Sequence, residues 1–451
     1  MRKCYQKASR ELKAEIISAY LTGDNSYEEL GNYYKVRPGT IRTWIYHYRK
    51  RKNVVPLQKK NKIFTLNMIK FLHIVILMLC ATLVNAQTTP AFCTKKNLFD
   101  AKDRNTLGLS YAPKAETVTV FCSSDSSDHY ANGVVMAAYK GQLYCMWQSS
   151  AKDEDSADTW VAYSHSSDEG KTWSKPRKLC NTTKEYFCTS GGWLSCNDRL
   201  VAYVNVWQND STLKACFAYY TETTDGKEWS ALKEVKWADG TPMNGIFEQD
   251  PHRMPNGRII GAVHLMPGMS LNPIYTDDAT GREGWRKGEF KATPNGKQSA
   301  ELEPSFFVQK DSTIVMTMRD QRSSYRVLAA TSHDNGETWS DVTPTNMPDS
   351  RAKQCAGNLS DGTAYIVNNP ISEKKPRTPL VITLSDDGKT FDRAYLLRSG
   401  NSNDLPTQRY QGKYKTIGYS YPKAMEHNGW LYISYSTNKE RVEYTRIKIS
   451  N

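Results

Sequence analysis

The spacing of one short motif constrains this chain more than any other feature. Ser332-His333-Asp334-Asn335-Gly336-Glu337-Thr338-Trp339 has a close copy in Ser166-Ser167-Asp168-Glu169-Gly170-Lys171-Thr172-Trp173 and a softened one in Leu384-Ser385-Asp386-Asp387-Gly388-Lys389-Thr390-Phe391. Thr224-Asp225-Gly226-Lys227-Glu228-Trp229 and Gly281-Arg282-Glu283-Gly284-Trp285 are worn versions. The closing aromatics stand at 173, 229, 285, 339 and 391, in steps of 56, 56, 54 and 52 residues. The full motif has the makings of a hairpin turn. Its Asp accepts backbone N–H groups, its Gly takes a positive φ, and its aromatic tucks under the next strand. One such turn is only a surface feature, whereas five at a nearly constant period mark a repeat architecture.

A strand–turn–strand unit precedes each copy. The turns fall at Lys140-Gly141, Asn197-Asp198, Asn256-Gly257, Lys310-Asp311, Asp361-Gly362 and Asn428-Gly429, between β-rich runs such as Arg258–Val263 and Thr313–Met318. A third strand follows, as in Trp160–Ser164, Arg326–Thr331 and Leu380–Leu384. Six four-stranded units in a ring make an all-β fold, a six-bladed β-propeller, with Thr117–Phe121 completing the last blade. A two-sheet sandwich does not explain a period near 55 residues.

Residues 1–56 are different. Glu11–Leu21 has an amphipathic pattern with Leu12, Ile16, Ile17 and Tyr20 on one face. Ser26-x-x-Glu29 is a capping-box signal, and Pro38 opens a third helix holding Ile41, Trp44, Ile45 and Tyr48. This describes a basic helix-turn-helix. It resembles the DNA-binding domain of insertion-sequence transposases in Ser26–Leu30 and Thr40–Trp44. That resemblance implies DNA as a partner, with Thr40, Arg42, Thr43 and His47 toward the major groove.

A linker (57–67) leads to Met68-Ile69-Lys70, an apolar run from Phe71 to Val84, and Val84-Asn85-Ala86. This is the pattern of a signal peptide over 68–86, and the run is short for a membrane span. The expectation is a start at Met68, cleavage near Ala86 and a periplasmic, secreted or surface protein, residues 1–67 being an upstream fragment or a misplaced start. The alternative is a signal-anchored protein in two compartments.

Charge divides the same way. Residues 1–70 hold 16 Lys+Arg against 5 Asp+Glu, and residues 87–451 hold 44 against 42. The large part therefore needs no nucleic-acid partner. Its eight cysteines allow disulfides after export. Residues 87–114 read as an N-terminal extension and 115–451 as the propeller.

The repeated Asp box on six blades resembles the sialidase superfamily across roughly residues 115–451. The resemblance implies an exported exo-glycosidase that removes a terminal acidic sugar from glycans as a monomer, with no metal and no cofactor. It also implies a Tyr nucleophile served by a Glu, an Asp acid/base and an arginine triad. An anionic sugar repels a carboxylate nucleophile, so a neutral Tyr takes that role, and guanidinium forks match the substrate carboxylate. On this resemblance Glu303 is the catalytic Glu, and Arg319 and Arg377 bind substrate. The nucleophile falls in Gly418-Tyr419-Ser420-Tyr421, where Tyr419 is favoured for its Tyr-Ser and Tyr421 is a substrate-binding neighbour. The acid is Asp155, with Asp158 close by.

The first triad arginine has no counterpart in His129-Tyr130-Ala131-Asn132-Gly133. Glu248-Gln249-Asp250-Pro251-His252-Arg253 also departs from the family pattern. His252 and Arg253 are expected to face the axis and supply a substitute cation or serve another sugar acid. Two further readings stay open: a hydrolase or lyase on uronate-containing polysaccharide using His252 or His129, and a carbohydrate-binding propeller without turnover.

Overall fold

The structure, a computed structural model, describes residues 9–22, 26–52, 90–154, 156–196, 198–209, 215–296 and 298–448. Asp155, Asn197 and the segment 68–86, expected to be a signal peptide, lie outside them. The chain divides into two compact units, Met1–Gln87 and Thr88–Asn451.

In the first unit three helices span Arg10–Thr22, Tyr27–Tyr33 and Pro38–Lys52. Ser26 caps the second reciprocally with Glu29, as the sequence signal requires. Ile16, Ile17, Leu30, Val36, Ile41 and Ile45 form the core. Arg42, Thr43 and His47 are exposed.

The second unit is a six-bladed propeller. Blade 1 runs from Tyr130–Tyr139 outward to Arg177–Cys180, and blade 2 from Tyr186–Ser195 to Lys233–Glu234. In blade 3 the innermost strand is broken into Gly245–Phe247 and His252–Arg253, both paired to Ile259–Leu265. Blade 4 begins with Glu301–Val308, blade 5 with Cys355–Asn358 and blade 6 with Tyr419–His427. The N-terminal strand Glu116–Cys122 pairs antiparallel with Arg441–Lys448, so blade 6 is completed from both ends of the chain. This pairing closes the ring, and the outer edge of each blade stays short.

The boxes explain why the repeat is in register. Asp168 accepts the Thr172 N–H at 2.9 Å and Asp334 accepts the Thr338 N–H at 2.9 Å, while Gly170 and Gly336 take φ of 86° and 88°. Each box also contacts the blade before it. The Gly170 carbonyl accepts the Tyr444 hydroxyl (2.8 Å), Gly226 that of Tyr144 (3.2 Å) and Gly281 that of Tyr203 (2.7 Å). Gly388 accepts the Gln309 side-chain amide at 3.0 Å. Each such bond contributes about 1 kcal/mol, and its larger effect is to fix the angle between neighbouring blades. Cys180 and Cys188 form a disulfide joining the outer strand of blade 1 to the inner strand of blade 2. Cys93, Cys122, Cys145, Cys196, Cys216 and Cys355 are free.

Candidate active site

The innermost strands of four blades slip in register near their starts. The slips lie between Asn132 and Val135, Ser190 and Trp193, Leu302 and Ser305, and Ser420 and Lys423. A bulge breaks the in–out alternation and re-aims one side chain. In blades 1 and 2 the first residue of the slip is glycine, Gly133 and Gly191. In blades 4 and 6 it is Glu303 and Tyr421, held at φ of 52° and 59°. A left-handed residue other than glycine costs about 1–3 kcal/mol and persists where the surroundings impose it. Proline follows both (Pro304 and Pro422), which suits a bulge because no ladder N–H is needed there.

Around these two residues the site assembles from several blades. Arg319, opposite Leu302 in the ladder, donates from Nη1 to both Glu303 oxygens at 3.1 and 3.0 Å. The Glu303 N–H donates to His264 Nε2 at 3.2 Å. Burial raises the Glu303 carboxyl, but Arg319, Lys353 and Arg377 outweigh it and hold the group well below the usual carboxylate range. The guanidinium carbon of Arg377 lies 6.0 Å from the Tyr421 ring centre, with Lys353 Nζ at 5.0 Å and Lys439 Nζ at 5.4 Å. Burial raises the Tyr421 hydroxyl far above an ordinary tyrosine. Glu303 and Glu154 push it further, and Arg319 and Arg377 oppose them. Tyr421 is therefore a neutral hydroxyl beside an ionised carboxylate.

Three of the four cations have a hydrogen-bonded acid: Arg319 has Glu303, Lys353 has Glu248 at 2.9 Å, and Lys439 has Glu154 at 2.6 Å. Arg377 has none among the described residues. Its Nε and Nη1 are buried without a partner, as is Arg319 Nε. Buried N–H groups of this kind are costly unless something fills them. Asp349, the acid facing Arg377 and Arg319, is itself half-satisfied. Oδ2 accepts the Ala352 N–H at 3.0 Å and Oδ1 has no partner.

Burial raises the Asp349 carboxyl to about 6, against the pull of the Ala352 N–H, Arg377 and Arg319. An acid raised in the fold binds its proton more tightly there than in the unfolded chain, where the value is near 3.8. Its stabilising contribution is thus complete below about pH 4 and is lost as pH rises through 6. Relative to Asp349→Asn, the wild type is expected to lose on the order of 3 kcal/mol of stability between pH 4 and pH 7. Urea unfolding of both proteins at the two pH values measures this, and parallel behaviour rules it out.

Several sequence expectations are placed elsewhere. Tyr419 is fully buried in the core between blades 5 and 6, its hydroxyl donated to the Ser399 carbonyl at 2.9 Å and its ring edge-on to Tyr435. The bulge after Ser420 is what separates the two tyrosines: Tyr419 continues the regular ladder and Tyr421 leaves it. His252 does not face Glu303. It lies at the turn end of its blade, packed edge-on to Phe306, and lines a cavity of about 470 Å³ with Val308, Gln309 and Lys310. Burial lowers its imidazole to about 4. Arg253 is exposed, and its Nη2 donates to the Ala279 carbonyl at 2.8 Å. The break in the blade 3 inner strand carries both residues past the site. His129 stacks on Tyr410 with ring centres 3.8 Å apart. Asp158 accepts the Ala151 N–H at 2.9 Å and serves its own loop. Asp155 lies outside the described residues, while its neighbour Glu154 reaches Lys439 and the Asn132 amide. Lys353, Lys439, Glu154 and Asp349 were not expected from the sequence. Pro after a polar residue at an inner-strand start, as in Glu303-Pro304 and Tyr421-Pro422, is the signal that distinguishes Tyr421.

Residues 141–433 match the family described as BNR repeat-like domain. No curated protein sequence matches the chain. Solved structures share its architecture at low identity. A sialidase is 18% identical with a TM-score of 0.56, over 79% of this chain and 35% of that one. A protein of unknown function from Dyadobacter fermentans is 16% identical with a TM-score of 0.57, over 75% of this chain and 100% of that one. The intramolecular trans-sialidase from Ruminococcus gnavus is 14% identical with a TM-score of 0.55, over 73% and 97%. The chain spans only about a third of the first of these, and identities this low establish the fold alone.

Proposed function

The chain belongs to the BNR repeat-like domain family, and from that premise we propose that it is an exported glycoside hydrolase that removes a terminal acidic sugar, sialic acid or a close relative, from glycans. The observation that carries this reading is the set of buried, unfilled N–H groups on Arg377 and Arg319 beside Tyr421 and Glu303. A planar carboxylate on the sugar fits guanidinium donors and brings the charge that these groups lack.

In the reaction, the Tyr421 oxygen attacks the anomeric carbon and its proton passes to Glu303. The glycosidic C–O bond breaks, and the leaving oxygen takes a proton from Asp155. Water then attacks the glycosyl–tyrosine, with Asp155 accepting its proton and Glu303 returning one to Tyr421. Glu303 is a weak base, because Arg319, Lys353 and Arg377 all stabilise its ionised form. A bound carboxylate shares those cations, so substrate binding raises the basicity of Glu303 when it is needed.

The reading is tested by free-sugar release from a sialyl conjugate and from its carboxyl methyl ester. Turnover of the acid and none of the ester is expected. Equal turnover of both removes the role given to the arginines. Release instead from uronate-capped oligosaccharides, lost in His252→Ala, would move the chemistry to the cavity at the other end of the blades.

A further inference from the structure

A basic cavity is lined in part by Arg377. It is about 720 Å³, within the range of small-ligand sites, and its lining includes Lys374, Lys375, Arg377, Lys413, Tyr414 and Ile417. Two loops form it, one before the Leu380–Ser385 strand of blade 5 and one before the Tyr419–His427 strand of blade 6. Their roots are fixed to each other. Arg377 bridges to Gly418, and the Tyr419 N–H donates to the Arg377 carbonyl at 2.8 Å. Gly418 has φ of 110°, and a Cβ there would stand 2.7 Å from the Arg377 carbonyl oxygen, so only glycine permits this approach.

The charges lining the cavity sort into committed and free. Lys415 is buried, with Nζ donating to the His129 carbonyl at 2.5 Å and pairing with Glu440 at 3.3 Å. Glu373 pairs with Arg104 at 2.8 Å. Asp153, whose charge acts on Lys413, accepts the Tyr414 N–H at 3.1 Å. Lys374, Lys375 and Lys413 have no ion-pair partner among the described residues. Beside them Tyr414 and Ile417 are 46% and 57% exposed, and Lys413 Nζ lies 4.7 Å over the Tyr414 ring. Exposed aromatic and aliphatic surface among unpaired lysines suits a sugar ring that carries an anion.

We propose that this cavity is a second anion subsite, which makes the substrate a glycan with at least two acidic groups. On the reaction proposed above, the terminal sugar's carboxylate meets Arg319 and Arg377. A carboxylate or sulfate ester on the adjoining unit meets Lys374, Lys375 and Lys413. Lysine ammoniums act as point charges and accept either group, so the shared chemistry is an anionic substituent beside the scissile bond.

Three substrates separate the possibilities: one with a single acidic sugar, one with a second acidic sugar next to it, and one with a sulfate there. The doubly charged substrates are expected to show a KM lower by about tenfold at low salt. The advantage disappears in Lys374→Ala/Lys375→Ala/Lys413→Ala, while KM and kcat for the singly charged substrate stay unchanged. Equal KM for all three in the wild type overturns the subsite. A preference for only one doubly charged substrate identifies the anion.

Calorimetry with a sulfated disaccharide lacking a terminal acidic sugar gives a readout independent of turnover. Binding is expected in the wild type and in Tyr421→Phe, and not in the triple variant. Binding that follows this pattern without turnover of any substrate keeps the subsite and rejects the reaction. Absence of binding rejects the subsite and leaves the reaction standing.

Discussion

Tyr421→Phe is expected to lower kcat by about 10³-fold or more while the protein stays folded, and Tyr419→Phe to leave turnover nearly intact. The two residues are two positions apart in the Tyr-Ser-Tyr sequence yet sit in opposite surroundings. Tyr419 closes the core between blades 5 and 6, and its hydroxyl satisfies the Ser399 carbonyl. Removing that hydroxyl leaves a buried acceptor unpaired and costs about 1 kcal/mol of stability. Tyr421 makes no comparable structural bond among the described residues. It is held left-handed at φ of 59°, ringed by Arg377, Lys353 and Lys439, with Glu303 the strongest charge acting on its hydroxyl. Steady-state kinetics with guanidinium unfolding on both variants distinguishes the roles. Loss of activity in Tyr419→Phe with retention in Tyr421→Phe would place the nucleophile elsewhere.

Why the sequence favours the tyrosine that the structure buries in the core is a matter of register. Counting back from the Asn428-Gly429 turn assumes an unbroken two-residue alternation, and that count lands on Ser420. The strand instead inserts a bulge between Ser420 and Lys423, which moves one side chain out of the ladder. The bulge does leave a mark in the sequence, because Tyr421-Pro422 repeats the form of Glu303-Pro304. Proline is excluded from the middle of a regular inner strand, so each marks the place where pairing lapses. The same form in Asp250-Pro251 coincides with the broken inner strand of blade 3.

The ring itself was legible because its signals are local and repeated. Hairpin turns, box aspartates and closing aromatics act within a few residues, and their period carries the rest. The cations around Tyr421 were not legible for the opposite reason. Lys353 precedes the blade 5 inner strand, and Lys439 sits in the turn between Trp430–Thr437 and Arg441–Lys448. Only closure of the ring brings Lys439 to Glu154 of blade 1. That closure also places a cation near the start of blade 1, where the resemblance called for an arginine that the chain lacks. The misplacement of His252 and Arg253 has a similar origin. A charged run at an inner-strand start suggests residues facing the axis, but the break after Phe247 carries its last two residues to the other end of the blade.

Arg319→Leu and Arg377→Leu are expected to separate stability from function. Arg319 compensates a buried carboxylate through two hydrogen bonds, and Glu303 stays buried when it is removed. Breaking such a pair costs about 3–5 kcal/mol, so Arg319→Leu should be strongly destabilised as well as inactive. Arg377 has the reverse balance. Burial and the like charge of Arg319 depress its guanidinium, outweighing Tyr421, Glu303 and Asp349, and two of its N–H-bearing nitrogens bond nothing. Replacing it with an apolar side chain should leave the unfolding free energy unchanged or raise it. The same change removes charge-assisted bonds to the substrate carboxylate worth about 1.5–3 kcal/mol, so kcat/KM should fall by about 10²-fold. A residue that costs the fold stability while supporting turnover is one retained for its ligand. Equal destabilisation in both variants, with activity following the folded fraction, would instead make Arg377 a structural cation and remove the main support for an anionic substrate.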